Sequence, residues 1–128
     1  MDEATLMNAL VQSKRIYSLF NEVMDISRQM AEALDRDDQV AIQMLVSMRE
    51  EPIGKLRRAR QALQEQRDAL EPEMSGRLSA LLNGQPAETG AEEPLAAQVA
   101  ANRRLQGQVL ELDKILNRKL TREESIYK

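Results

Sequence analysis

From Leu6 to Leu34 the chain places Leu10, Ser13, Tyr17, Phe20, Met24, Ser27 and Ala31 at strictly alternating steps of four and three residues. That spacing keeps the whole row on one face of an α-helix, whereas in a strand it would scatter over both faces. Residues 4 to 34 are therefore read as one long helix. Ile16, Val23 and Met30 form a second row beside the first. The apolar surface is then wider than the seam of a dimeric coiled coil and suits a helix packed against two neighbours.

The rest of the chain obeys the same rule. "LDRDDQ", residues 34 to 39, breaks the pattern, and Asp37 or Asp38 can cap a following helix by accepting from its free amides. Val40, Ala41, Met44, Leu45, Met48, Leu56, Ala59 and Leu63 continue a stripe to about residue 69, so a helical hairpin with two arms of similar length is expected. "EPEMSGRLSALLNG" reads as a short helix with Pro72 in its first turn, Met74, Leu78, Leu81 and Leu82 on one side and Gly84 as its stop. Residues 83 to 93, "NGQPAETGAEE", have no apolar periodicity and are read as a flexible loop. Pro94 opens a last helix with the stripe Leu95, Val99, Asn102, Leu105, Val109, Leu112, Leu116 and Leu120. "TREESIYK" is a polar tail that extends it or frays.

The expectation is a single all-α domain over residues 1–128, an elongated antiparallel helical bundle of three long helices plus one short helix. Composition agrees, because Leu, Ala, Glu, Gln, Arg and Met favour helix and only Tyr17, Phe20 and Tyr127 are aromatic.

Pro52 is the one residue at odds with this reading, since its ring clashes with the carbonyl of Met48 and a proline inside a helix costs about 3 kcal/mol. Glu51 is a poor cap, and Met48, Leu56 and Leu63 stay in phase across the break. A kinked continuous helix is therefore expected rather than a new start. With the turn near residue 36, pairing would set Phe20 opposite Pro52 and Tyr17 near Lys55, so the bend would make room for two rings. The alternative is that it spreads the helices to expose a groove.

Catalytic chemistry has little to stand on. The chain has no histidine and no cysteine, and neither a phosphate-cradling glycine loop nor a metal-ligand motif. No cofactor and no metal are expected. Carboxylate pairs at Asp37 with Asp38, Glu50 with Glu51 and Glu92 with Glu93 are adjacent in sequence, so on a helix they diverge by about 100° and cannot share a proton. Basic and acidic residues number 18 and 21 and are interleaved, leaving no broad field of one sign for nucleic acid or lipid. Lys55, Arg57, Arg58 and Arg60 form a basic cluster without interleaved aromatics, with Glu51, Glu65 and Asp68 nearby to pair, and are read as a solvated face. No nucleic-acid binding and no membrane insertion are expected. The acidic start "MDEATLMNALVQSK" differs from a secretory signal, so a cytoplasmic protein is expected.

Asn102, on the last stripe, is read as a register device, with an interaction surface as the alternative. Met24, Met30, Met44 and Met48 are read on the packing faces of the hairpin, as core filling or as an adaptable surface for a partner helix.

The stretch "ALDRDDQVAIQMLVSMREEPIGKL" follows a long first helix with a leucine, an acidic turn and an amphipathic helix carrying Arg49, Ile53 and Leu56. This arrangement resembles the FlgN/FliT group of flagellar export chaperones, mainly over residues 17–63 and more loosely over Asn102 to Leu120. The resemblance implies a cytoplasmic type III export chaperone that holds the helical C-terminal segment of an exported filament or cap subunit. The partner surface is then expected on Met44 and Met48 of the second helix together with Leu105, Val109, Leu112 and Leu116 of the last. The alternative is a self-associating structural or regulatory coiled-coil protein, and a homodimer of the free chain is left open.

Overall fold

The computed structural model of the protein describes the backbone of residues 1–127 and the side chains as far as residue 121. Four helices follow one another: α1 (Glu3–Asp35), α2 (Gln39–Asp68), α3 (Pro72–Leu82) and α4 (Glu93–Tyr127), the last preceded by a 3₁₀ turn, Gly90–Glu92. Helix makes up 88% of the structure and no strand occurs among the described residues, so the fold is all-α. No helix among them is long and apolar enough to cross a membrane.

The first turn uses its two aspartates differently. Asp37 takes a left-handed backbone with φ of 56°. Its amide bonds to the Leu34 carbonyl and that of Asp38 to the Ala33 carbonyl, the bond pair of a Schellman stop. Asp38 then caps α2, its Oδ1 accepting from the Ala41 amide at 3.1 Å. At the other end Gly84, with φ of 95°, closes α3 by the same device, and Pro72 stands in the first turn of α3 as expected.

α1 is the central helix. It packs along both α2 and α4, whereas the backbones of α2 and α4 hardly approach each other. The two-neighbour role shows in its burial: Leu6, Ala9, Ser13, Ile16, Phe20, Val23, Ser27, Met30 and Leu34 form the seam, and Leu19, Met24 and Ala33 are buried beside it. The second row of the sequence therefore lies within the seam, and Tyr17 from the first row is 38% exposed.

On α2 the buried row is Ile42, Leu45, Pro52, Leu56, Ala59 and Leu63, again spaced by threes and fours, with half-buried Arg49 filling the step between Leu45 and Pro52. Val40, Met44 and Met48, expected on the packing face, lie outside. The apolar residues on this helix outnumber the inward positions, and a position offset by one or two residues from the seam points to solvent. α2 runs through Pro52 without interruption. Pro52 is buried on the α2 seam. Arg49 donates to Ser27 at 3.0 Å, and that register puts Pro52 level with Met24, while Phe20 lies under Arg60, two turns further along α2.

The core falls into two clusters. One, at the hairpin end, joins Met30, Ala33, Leu34, Ile42, Leu45 and Leu116. The other, larger, runs from Val23, Leu56 and Val109 to the far end, where Leu78 and Leu81 anchor α3 and Leu95 begins the α4 row. Between them lies a polar layer in which fully buried Ser27 accepts from Arg49 Nε, and Arg49 also pairs with Asp113 of α4. Asn102 fixes the register of α4 on α1: its Nδ2 donates to the Ser13 carbonyl at 2.8 Å and its Oδ1 accepts from Gln98 at 3.0 Å.

Residues 83–93, read from sequence as a flexible loop, are tied to α3 by one arginine. The Arg77 guanidinium grips the Glu92 carboxylate through both Nε and Nη2, and Nη2 also donates to the Pro86 carbonyl at 3.0 Å. The amide of Glu88 donates to Glu92 at 2.9 Å. The Arg77 guanidinium and the Glu88 amide hold the Glu92 carboxyl down at a pKa of about 2, against the opposing effect of its burial.

Candidate functional site

Where α2 and α4 lie apart on α1, a cleft opens between them over its surface. Its volume is about 510 Å³, within the roughly 300–1,000 Å³ of many binding pockets. The floor is apolar and closed, with the buried side chains of Ile16 and Phe20 from α1, Leu63 from α2 and Val99 from α4, and Leu82 and Asn83 at the end of α3 border it. The walls are polar and cationic: Arg57, Arg60 and Arg67 stand on α2 and Arg103 on α4, interspersed with Gln61, Gln64 and Gln106. Among the described residues no aspartate or glutamate lines it.

Each arginine is held by local geometry. Arg57, Arg60, Gln64 and Arg67 follow one another by three, four and three residues, so they share a face of α2. Arg60 lies over the Phe20 ring, 5.7 Å from its centroid. Arg103 crosses Gly84, where a Cβ would come within 3.1 Å of its Nε, so the glycine that stops α3 also leaves the room Arg103 occupies. Arg67 donates to Gln64, while its Nε is enclosed and has no hydrogen-bond partner.

Of the pairing expected for Lys55, Arg57, Arg58 and Arg60 with Glu51, Glu65 and Asp68, one ion pair forms among the described residues. Glu51 pairs with Lys55, which faces the opposite flank of α2 together with Arg58. Glu65 and Asp68 accept instead from Gln61 and Gln64. Among the described residues Arg57, Arg60 and Arg103 have no ion pair.

The six residues expected at a partner surface separate into two places. Leu105, Val109 and Leu116 are buried in the core and Leu112 packs partly buried against it. A partner could reach these leucines and this valine only by displacing α1 or α2. Met44 and Met48 are 58% and 49% exposed. They precede Lys55 by eleven and seven residues, which sets them on its flank of α2, turned from α4. The structure therefore does not join the two groups into one surface. What it joins instead, Arg57, Arg60 and Arg67 with Arg103, is not contiguous in sequence. The signal was the helical spacing from Arg57 to Arg67.

No group of side chains that could hold a metal ion occurs among the described residues. No family model, curated protein or solved structure matches the chain.

Proposed function

We propose that the protein is a non-enzymatic, cytoplasmic helix-binding chaperone of the flagellar type III export kind, holding a helical segment of an exported filament or cap subunit in the cleft between α2 and α4. The observation that carries this reading is the cleft itself. Two long helices, α2 and α4, pack on α1 with their own backbones hardly approaching each other, and a partner helix laid between them would sit over the cleft, between its arginine- and glutamine-bearing walls, in the manner of helix-in-groove recognition. Such a function requires a scaffold and a groove and no reacting group, in keeping with a chain without histidine or cysteine. The resemblance of residues 17–63 to the FlgN/FliT group supports the same reading.

The test is light scattering on the purified chain, alone and with the helical C-terminal segment of a flagellar filament or cap subunit. A monomer that forms a one-to-one complex supports the chaperone. A tight oligomer that ignores the segment supports the second reading, self-association, which the exposed row Val40, Met44 and Met48 at steps of four favours.

A further inference from the structure

We infer that the cleft selects an acidic occupant: an amphipathic helix of a partner protein laid over its mouth, whose carboxylates meet Arg57, Arg60 and Arg67 on one wall and Arg103 on the other. The inference rests on the helix-holding reading of the cleft and adds the chemistry of what is held.

Charge complementarity is the ground for it. Elsewhere in the molecule cations close to the core have anions: Arg49 has Asp113, Arg77 has Glu92 and Lys119 has Asp35. Around the cleft, half-buried Arg67 and the exposed Arg57, Arg60 and Arg103 have no ion pair among the described residues, and no carboxylate is among the described lining residues. Such guanidiniums bind carboxylates through two parallel bonds, with direction as well as strength.

The shape of the array selects a helix over a small anion. Arg57 and Arg67 are ten residues apart on α2, about 15 Å along its axis. A single phosphate cannot span that length, whereas a helix with carboxylates at successive turns can, because its own i, i+3, i+4 and i+7 positions share a face. The floor argues against a nucleic acid. Its one aromatic ring, Phe20, already carries Arg60, so no platform remains for base stacking.

The experiment uses the full chain and a synthetic amphipathic peptide of about 20 residues, long enough to populate helix, with leucines on one face and glutamates flanking them. Fluorescence anisotropy should show the Glu peptide binding at least tenfold more tightly than a copy with every Glu replaced by Gln, with the advantage shrinking as salt is raised. Arg57→Gln combined with Arg103→Gln, checked for unchanged helicity by circular dichroism, should erase the difference between the peptides. Arg103→Glu should in turn improve binding of a Lys-for-Glu peptide. Equal binding of the Glu and Gln peptides, or no binding of the Glu peptide, overturns the charge selection; the chaperone reading is decided separately by the subunit-segment complex. Tighter binding of inorganic pyrophosphate or of a single-stranded oligonucleotide than of the Glu peptide also overturns it.

Discussion

The two halves of the bundle use the same residue type for opposite ends. Toward the hairpin, Arg49 bridges Ser27 on α1 and Asp113 on α4, and the apolar cluster around Met30, Ile42 and Leu116 closes beyond it. Toward the other end, four arginines stand around a cleft with no carboxylate among its described lining residues, and no ion pair among the described residues joins α2 to α4 there. One half converts its charge into cohesion between helices. The other leaves its charge unspent, and an unpaired charged groove contributes little to stability while offering much to a ligand of opposite sign. The difference teaches where to look for stability and where for recognition: the same substitution should have unlike consequences on the two sides of the Arg49–Asp113 pair.

The largest expected effect tests the closed half. Arg49→Ala removes a half-buried cation from two partners and leaves Ser27 and Asp113 without it, which should cost about 2 kcal/mol, read as a lower urea midpoint. Asp113→Asn should be milder, because an amide can still accept from the guanidinium. A double-mutant cycle should give coupling between the two positions. Additivity would mean that the pair does not hold α2 to α4, and the contrast between the halves would collapse.

Pro52→Ala comes next, and its sign is informative. Restoring helix propensity and an amide is worth about 3 kcal/mol, against a loss of roughly two buried methylenes, about 1.6 kcal/mol. Pro52 is buried on the α2 seam, while Tyr17 is 38% exposed and Phe20 lies under Arg60. The variant should therefore be more stable by about 1 kcal/mol in thermal or urea unfolding. A clear loss instead would show that the ring packs into the junction beside the polar layer more tightly than its two methylenes suggest.

The outcome at Pro52 also marks where sequence reading stops. The α4 row from Leu95 to Leu116 is legible because apolar residues occupy the inward positions and Asn102, the exception, has a partner one layer away. The α2 row is not, because Met44 and Met48 are apolar but outward while the true seam passes through Arg49 and Pro52, two residues no hydrophobicity rule assigns to a core. α1 lies between these cases: a helix with two neighbours buries nearly half its circumference, so several rows qualify at once. The cleft was the least legible feature. Arg67 and Arg103 are distant in sequence and meet only because α3 and the turn after Gly84 bring α4 back alongside α1 and α2.

A smaller effect, confined to acid, belongs to the connection that returns the chain. The Glu92 carboxyl has its pKa lowered from 4.5 to about 2, first by the Arg77 guanidinium. The folded form therefore holds the ionised carboxylate more strongly than the unfolded chain does. The stabilisation is complete above about 4.5 and is lost as pH falls through about 2. Glu92→Gln should lower stability at neutral pH and remove this part of the acid dependence, so the two unfolding curves should converge as pH is lowered across that window. Parallel curves would show that Arg77 and Glu92 do not act as a pair. Limited proteolysis across residues 83–93 should also be faster in the variant than in the parent chain.

The smallest expected effect is the one that bears most directly on the open half. Arg57 and Arg103 have no ion pair among the described residues, so Arg57→Gln with Arg103→Gln should change stability by no more than about 0.5 kcal/mol. Its direction follows from the company they keep. Arginines gathered around a cleft without carboxylates repel one another, and removing two of them relieves that repulsion, so at low salt the double variant should be slightly the more stable protein. Added sodium chloride screens the same repulsion over a Debye length of about 10 Å at 0.1 M, and the advantage should fade as salt rises. Paired arginines would behave in the opposite way: the variant would be destabilised at low salt, and salt would narrow the deficit. Unfolding midpoints of parent and variant at low and high sodium chloride distinguish the two signs. A deficit at low salt would mean that the cleft arginines are already neutralised within the chain, leaving nothing for an acidic helix to complete.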